Sequence, residues 1–510
     1  LEVRQIAGVR YEMEKTGFSV STPYTFAKNV DIQTVFEIKE RRYQFTGVDV
    51  IETANREYVD GVIAPHIIGR VGPIYKEEYE QLKDKGYKLN DTLGKDGIEK
   101  MMESVLKGTD GEHKIIMNKN REVVEVIDEK APKPGNSVFL TIDKDIQYAA
   151  QIALQNKIES MRKTQDKALG KDAQGGSVAV IDIKKGEVLA LANYPSFDLS
   201  TFAQDYDELI QQRETPIFNR ALDGQYMPGS IFKPVVALAG ISEGLITSTT
   251  TVDCQYVYRF YEDYQPTCAG GYHGHINVYD AMRVSCNTFF YDIGRQLGIE
   301  KINEYAKILG LGLPTGIELP EKNGRLSTPE YRQKIGSTWF SGNILQVSIG
   351  QLDTEITPLQ LANFMAILAN KGKKIDLSII KEIRNYDLSE TIYQHTPIEE
   401  NTFDVSEQAY DMVIDAMVQT SRTGSARAAF ADYPFDVAAK TGTPQNGYDW
   451  TNATFVAFAP ADDPQIAVAV VVEKGGGGHL ISDVAKEIFD AYFFPNKINT
   501  QTQLENNLIS

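Results

Sequence analysis

The stretch GSVAVIDI-KKG-EVLALA, Gly176 to Ala192, decides the fold. Two runs rich in Val, Ile and Ala flank Lys184-Lys185-Gly186, a connection with the length and composition of a β-hairpin turn. Upstream of it, VFLTID (Val138–Asp143) is strand-like and the apolar spacing from Asp145 to Lys163 is helical. Downstream, Asp436–Thr443, Asn452–Ala459 and Gln465–Glu473 read as three further strands, and Ser482–Phe494 as a closing helix. Strands at both ends with helices between them predict one antiparallel sheet, flanked by helices, in which the hairpin pairs with the C-terminal strands across the whole domain. The fold class is α+β, not doubly wound.

The chain has 510 residues, enough for two or three domains. Lys and Arg number 52 against 70 Asp and Glu, a net charge of −18, which excludes phosphate-backbone binding as a main task. Three cysteines are too few for a disulfide framework. The longest apolar run, Ile466–Val472, is far too short to cross a bilayer, and Leu1 opens the chain without Met or a signal-peptide pattern, as in a fragment of something longer. Residues 1–135 mix β-like stretches (Val48–Ile51, Val123–Ile127) with charged helical ones (Glu77–Lys85). A turn-rich connector, Lys130–Asn136, sets a boundary, giving an N-terminal domain over 1–135, a second over 136–497 and a tail over 498–510. Gly475–Gly478 precedes His479 rather than the Lys-Ser/Thr of a phosphate loop, so it reads as a flexible loop.

A serine and a lysine three apart on a helix share a face, so the amine can take the hydroxyl proton during nucleophilic attack. The pair occurs at Ser104/Lys107, Ser160/Lys163, Ser230/Lys233 and Ser378/Lys381. Only Ser230 follows Pro-Gly and opens an apolar run, IFKPVVALAG, which puts its hydroxyl at a helix N-terminus where backbone amides favour an anion. The others read as capping serines with surface lysines. Ser-x-Asn occurs at Ser285-Cys286-Asn287 and Ser341-Gly342-Asn343; a hydroxyl and an amide at that spacing can relay a proton and hold a substrate amide, although a turn serine is the commoner explanation of such a tripeptide. Lys-Thr-Gly occurs at Lys15–Gly17 and Lys440–Gly442, and only the second follows a strand-like approach and continues to Thr443. On an edge strand, Lys440, Thr441, Gly442 and Thr443 would line a seat for an extended peptide and bind a carboxylate.

Ser230, Ser285 and Lys440 in that order form a constellation that none of the three motifs makes alone. With it the chain resembles the penicillin-recognising serine acyltransferases, in particular the class B penicillin-binding proteins. The resemblance runs from about residue 60 to about 490, through APHIIGRVG (Ala64–Gly72), the stretch Asn90–Gly111, PGNSVFLTIDKDIQ, ANYPSFD (Ala192–Asp198), FNRAL, YMPGSIFKP, SCNTFFYDIG, LGLGLPTGIELP, VSIGQLDTEITPLQLA (Val347–Ala362) and FVAFAP (Phe455–Pro460). It departs at Leu352, where the family usually has Gly. The resemblance implies a pedestal followed by a penicillin-recognising transpeptidase fold, and a peptidoglycan D,D-transpeptidase that is the target of β-lactams. Ser230 would be the acylated nucleophile, activated by Lys233. The amides of Ser230 and Thr443 would form the oxyanion hole, Ser285 would pass the proton to the leaving D-Ala, and Asn287 would hold the stem peptide. Lys440, Thr441 and Thr443 would bind the terminal carboxylate.

It further implies no catalytic cofactor, a site on the extracytoplasmic face of the membrane, an anchor before Leu1, and a membrane-embedded glycosyltransferase as partner. The absence of an appended C-terminal repeat domain, with HGHINV beside SCNTFFY, resembles the elongation branch more than the division or sporulation branch. A β-lactamase is disfavoured because no Glu-x-x-Leu-Asn segment is present, and a bifunctional enzyme because 135 residues cannot hold a glycosyltransferase domain. The rival from another class is a non-catalytic β-lactam sensor or assembly scaffold.

Between the first two motifs, Cys254, Cys268, His273 and His275 follow the spacing C-x13-C-x4-H-x-H, four of the chain's nine Cys and His within 22 positions. Soft thiolates with imidazoles make a tetrahedral zinc set, which with four protein ligands is a structural site. A Cys254–Cys268 disulfide or unligated side chains are the alternatives, and Asp253 could replace either histidine. Cys286, between Ser285 and Asn287, reads as a buried small side chain.

Overall fold

The computed structural model describes residues 3–15, 18, 24–41, 43–45, 47, 48, 50, 55–89, 91–117, 123–401, 405–445 and 450–495. Contacts divide the chain into two compact units, Leu1–Glu57 and Tyr58–Ser510. The first carries two helices, Val3–Lys15 and Ile32–Glu40; the second of these is capped by Asp31, whose carboxylate accepts from the Thr34 amide at 2.9 Å. The β-like stretch at 48–51 lies largely outside the described residues, as does the tail at 498–510.

The second unit is built on a five-stranded antiparallel sheet. Its strands are β1 (Gly176–Asp182), β2 (Val188–Tyr194), β3 (Ala438–Gly442), β4 (Ala453–Ala459) and β5 (Ile466–Val472), in the spatial order β3-β4-β5-β1-β2. The hairpin thus pairs with the last strand, Val472 opposite Gly176, and β3 takes the outer edge. Both faces of the sheet are covered, so β1 and β5 are buried along their whole length; β5 reads as an unbroken apolar run rather than an alternating one, and β1 is interrupted only by Ser177 and by Asp182 at its end. Ala179, Ile181, Val456, Phe458, Ala467 and Ala469 face one core, which holds α2 (Lys233–Ser242), α3 (Asn287–Ile308), α4 (Pro358–Ala369) and α5 (Glu407–Arg422). Val178, Val180, Phe455, Val468 and Val470 face the other, which holds α1 (Lys144–Arg162) and α6 (Ser482–Phe493).

Helix α4 is buried along its whole length and has no solvent face to orient it. Its start is set instead by a capping box, with Thr357 Oγ1 accepting from the Gln360 amide, and by Pro358 at the first position. VFLTID does not join the main sheet: Ser137–Leu140 pairs with Ile380–Arg384 in a separate three-stranded sheet. Residues 58–135 bond to the later part of the unit, with the Ala64 amide donating to Gln151 Oε1 at 3.0 Å and the Leu199 amide to Gly61 O at 3.0 Å. Among the described residues no helix is long and apolar enough to cross a membrane.

Candidate active site

Ser230 lies in a single 3-10 turn, Gly229–Phe232, that runs straight into α2, so Lys233 is the first residue of the helix proper. The turn is entered through Gly229 at φ +58°, a conformation open to glycine and strained for other residues. There the Gly229 amide donates to Gly350 O at 2.9 Å. Edge strand β3 comes down on this turn. A Cβ on Gly442 would lie 2.2 Å from Thr454 Oγ1 and 2.7 Å from Pro228 O, so only glycine lets the strand approach. Thr454 Oγ1 also donates to Pro228 O at 3.2 Å, and the Gly229 position abuts Pro444, which brings Ser230 beside Thr443.

Lys233 and Lys440 are fully buried and, among the described residues, neither has a carboxylate partner. Lys233 Nζ donates to Ser285 O at 2.7 Å, Ser285 Oγ at 3.0 Å and Asn287 Oδ1 at 2.7 Å. Lys440 Nζ donates to the same Ser285 Oγ at 3.0 Å and to Thr441 O at 3.0 Å. Burial disfavours the charged amines: Lys233 falls to about 7, and Lys440 falls well below its usual value, helped by the neighbouring Lys233 charge. Ser285 has φ +56°, a left-handed conformation costly for a serine and concentrated at functional positions. No hydrogen bond joins Ser230 Oγ to Lys233; the amine is turned toward Ser285 and Asn287, and among the described residues the hydroxyl of the half-buried Ser230 has no partner.

Two residues that the motifs do not contain belong to this site. Ser425 Oγ lies 2.7 Å from Thr441 Oγ1, coupling the strand to the turn after α5; no pattern in the sequence marks it. Gly478 donates its amide to Thr443 Oγ1 at 3.2 Å. The four glycines Gly475–Gly478 are therefore not a flexible loop. They are buried, and a Cβ on Gly478 would strike Thr454 O and Gly442 O. Of the other Ser-x-x-Lys matches, Ser378 is structural, donating to Glu318 and to Ile380 O.

The cysteine cluster differs from its expected composition. Cys254, Cys268, His273 and Cys286 bring their ligand atoms within 4.8 Å of one another, and His275 is not among them. Asp253 pairs with His275 across the short antiparallel strands Val252–Cys254 and Gly274–Ile276. Side chains alternate along a strand, so His275 shares the exposed face with Asp253 while Cys254 points inward. Asp253 is committed to Gln255 Nε2 at 2.7 Å. All three thiols are free, so no Cys254–Cys268 disulfide is present. Cys286 is buried as expected, but as a member of the cluster.

The separations suit one tetrahedral ion. Zinc bonds of ordinary length give edges of about 3.8 Å between sulfurs and about 3.6 Å between sulfur and nitrogen. Here Cys268 Sγ and Cys286 Sγ are 3.8 Å apart, and His273 Nδ1 lies 3.4 Å from Cys254 Sγ and 3.5 Å from Cys268 Sγ. Cys268 also accepts the Asn287 amide at 3.3 Å, at the N-terminus of α3. The neighbouring Cys286 thiol, with the backbone amides around Asn287, lowers the Cys268 thiol well below its ordinary value.

A family model described as the penicillin-binding protein transpeptidase domain matches residues 176–493, more than half of the chain. The chain belongs to this transpeptidase family. Residues 3–140 match a second model, the penicillin-binding protein dimerisation domain. This transpeptidase is 30% identical to the peptidoglycan D,D-transpeptidase MrdA of Escherichia coli (strain K12), over 99% of its own chain and 81% of that protein. It is 29% identical to MrdA of Acinetobacter baumannii, over 92% of its chain and 71% of that protein. Among solved structures, Pseudomonas aeruginosa PBP2 in complex with WCK 5153 superposes with a TM-score of 0.71 at 30% identity, covering 88% of this chain and 91% of that one. A structure described as a peptidoglycan synthase complex that coordinates polymerisation and crosslinking gives 0.80 at 26% identity, with 98% and 86% covered. The transpeptidase therefore has the penicillin-recognising α+β fold and is a serine-type enzyme of the class B kind.

Proposed function

We propose that this transpeptidase cross-links peptidoglycan stem peptides through an acyl-enzyme on Ser230. The observation that carries the reading is the pair of buried lysines, Lys233 one turn after Ser230 and Lys440 on β3, that share the hydroxyl of Ser285. With Lys233 neutral, its lone pair takes the proton as Ser230 Oγ attacks the penultimate D-Ala carbonyl. The amides of Ser230 and Thr443 receive the oxyanion. Ser285 Oγ, which accepts from both lysines, gives its proton to the departing D-Ala amine and takes in return the one that Lys233 received from Ser230, while Asn287 holds the peptide. Lys440, Thr441 and Thr443 take the terminal carboxylate. The amine of a second strand then attacks the ester, regenerates Ser230 and leaves the new peptide bond. β-Lactams acylate Ser230 by the same first step.

The names of the relatives support the D,D-transpeptidase reading, and the described synthase complex supports work beside a peptidoglycan polymerase; the elongation role, a membrane-embedded glycosyltransferase and an extracytoplasmic site follow from the family resemblance. The test is mass spectrometry after incubation with penicillin, with D-Ala release measured in the presence of an amine acceptor. An adduct on Ser230 together with D-Ala release is expected. Folded protein without the adduct overturns the assignment, and an adduct without release turns the reading into the sensor or scaffold.

The fit of the cysteine cluster supports structural zinc held by Cys254, Cys268, His273 and Cys286. Four protein ligands leave no open position, so bound zinc supplies rigidity rather than an activated water. Cys286 lies between Ser285 and Asn287, so the ligand set fixes the two side chains that hold Lys233. Elemental analysis finding no zinc in purified, fully reduced protein would sink this part alone.

A further inference from the structure

The hydroxyl of Ser425 carries one more inference, which rests on the acyl-transfer reading above. Ser425 follows α5 in the turn Thr423-Gly424-Ser425, and its Oγ lies 2.7 Å from Thr441 Oγ1, where either atom can be the donor. Nothing local calls for a hydroxyl at this position. The short helix that follows, Arg427–Phe430, starts at Ala426 without a side-chain capping bond. Among the described residues Ser425 Oγ has no hydrogen-bond partner other than Thr441.

The turn is held from the Ser285 side of the site. Thr420 Oγ1 donates to Met282 O at 3.2 Å, and the Ala426 amide donates to Thr420 O at 3.0 Å, closing the turn on α5. A Cβ on Gly424 would lie 2.5 Å from Arg283 O, so glycine is what lets the turn pack against the residues that lead into Ser285. Ser425 is thus fixed on one side by the packing that places Ser285 and reaches β3 on the other through Thr441. Thr441 itself is nearly buried, at 7% exposure, and its carbonyl accepts from Lys440 Nζ at 3.0 Å.

A hydroxyl has one proton to give, and an ionised carboxylate can only accept. With the substrate's terminal carboxylate at Lys440 and Thr441, the Thr441 proton must turn toward it, and the bond to Ser425 then persists only with Ser425 as donor. The relay from Ser425 through Thr441 to the carboxylate runs in one direction, and each bond polarises the next. A neutral carbonyl in the same place draws a weaker bond from Thr441 and gains less from the relay. We propose that Ser425 is a positioning residue for the carboxylate seat: it fixes the direction of the Thr441 proton and so sharpens the preference for substrates that end in a free carboxylate.

The test compares Ser425→Ala with the native protein on two matched pairs. A peptide ending in D-Ala-D-Ala and its C-terminal amide are read as kcat/KM for release of the last residue; benzylpenicillin and its methyl ester are read as the second-order rate of Ser230 acylation by mass spectrometry. In both pairs the preference for the free carboxylate should fall about tenfold, with the neutral member changed by less than about twofold and the melting temperature retained. Ser425→Thr, which keeps a hydroxyl, should restore the preference. In Thr441→Val, which lacks the middle of the relay, adding Ser425→Ala should change nothing further. An equal loss for charged and neutral members, an unchanged preference, a preference that folded Ser425→Thr does not restore, or a further loss in the Thr441→Val background overturns the proposal. Absence of D-Ala release from the native protein would overturn the acyl-transfer reading instead, and the penicillin pair would still decide the role of Ser425.

Discussion

Lys233 and Lys440, which lie far apart in the chain, both donate to the hydroxyl of Ser285, each at 3.0 Å. Two buried amines around one oxygen cannot both keep their protons without strong repulsion, so one carries the charge and the other is free to act as base.

The acylation rate should therefore follow the deprotonation of Lys233. With the amine lowered to about 7, the neutral form is a minority at pH 6 and a majority at pH 8, so penicillin acylation should rise about tenfold between them. Stopped-flow acylation across that range measures it, and a flat profile contradicts the assignment of Lys233 as base. The unfolded chain holds this proton up to the ordinary 10.5 while the folded chain has lost it. The same group thus makes stability rise with pH between about 7 and 10.5.

Ser285 separates chemistry from backbone strain. Its φ of +56° penalises any side chain, so Ser285→Gly should be about 1 kcal/mol more stable than Ser285→Ala, although both lose the shared hydroxyl and slow transpeptidation together. Urea unfolding of the two variants gives the comparison.

For the cysteine cluster, zinc per chain should stay near one in His275→Ala and drop in His273→Ala and Cys286→Ser. Metal analysis after dialysis reads this directly. A strong chelator should lower the melting temperature of the native protein.

Arg220 is almost fully buried and joins Glu473 to the carbonyls of Glu214 and Thr215, while Tyr226 donates to the same carboxylate at 2.8 Å. Removing the guanidinium leaves Glu473 without its countercharge, so Arg220→Ala should cost about 3 kcal/mol in denaturant unfolding. Glu473→Gln, which keeps the shape, should cost less.

Leu352, which departs from the family's usual Gly, adopts φ +70°. Its side chain packs on the main core, so truncation to Ala loses contacts and retains the strain. Leu352→Gly should be more stable than Leu352→Ala by about 1 kcal/mol, the left-handed penalty.

Much of the fold was legible because its signals are local. The hairpin at Lys184–Gly186, the helix after Asp143 and the apolar run of β5 each announce themselves in a dozen residues. The pairing of β5 with β1 followed from strands standing at both ends of the domain. VFLTID was legible as a strand, but an apolar run does not say which sheet it joins, and its pairing with Ile380–Arg384 left no sign in the sequence. At the site, Ser230, Ser285 and Lys440 were legible through spacing, whereas Ser425 was not, because a hydroxyl that contacts another hydroxyl leaves no pattern. His275 was favoured over Cys286 for a related reason. Proximity in sequence suggested the histidine, but strand alternation turns it outward, and α3 delivers the third thiol from 18 residues beyond Cys268.

The open edge at β3 bears on unwanted strand addition. Among the described residues no strand covers its outer side, and an uncovered edge is where foreign strands add and self-association begins. An inward-facing charge is one of the devices that discourage such addition, because an incoming apolar strand gives it no partner. Lys440 is such a charge, wholly buried on the edge strand itself. The side chain that waits for a peptide's carboxylate is thus also the one that turns away every strand arriving without one.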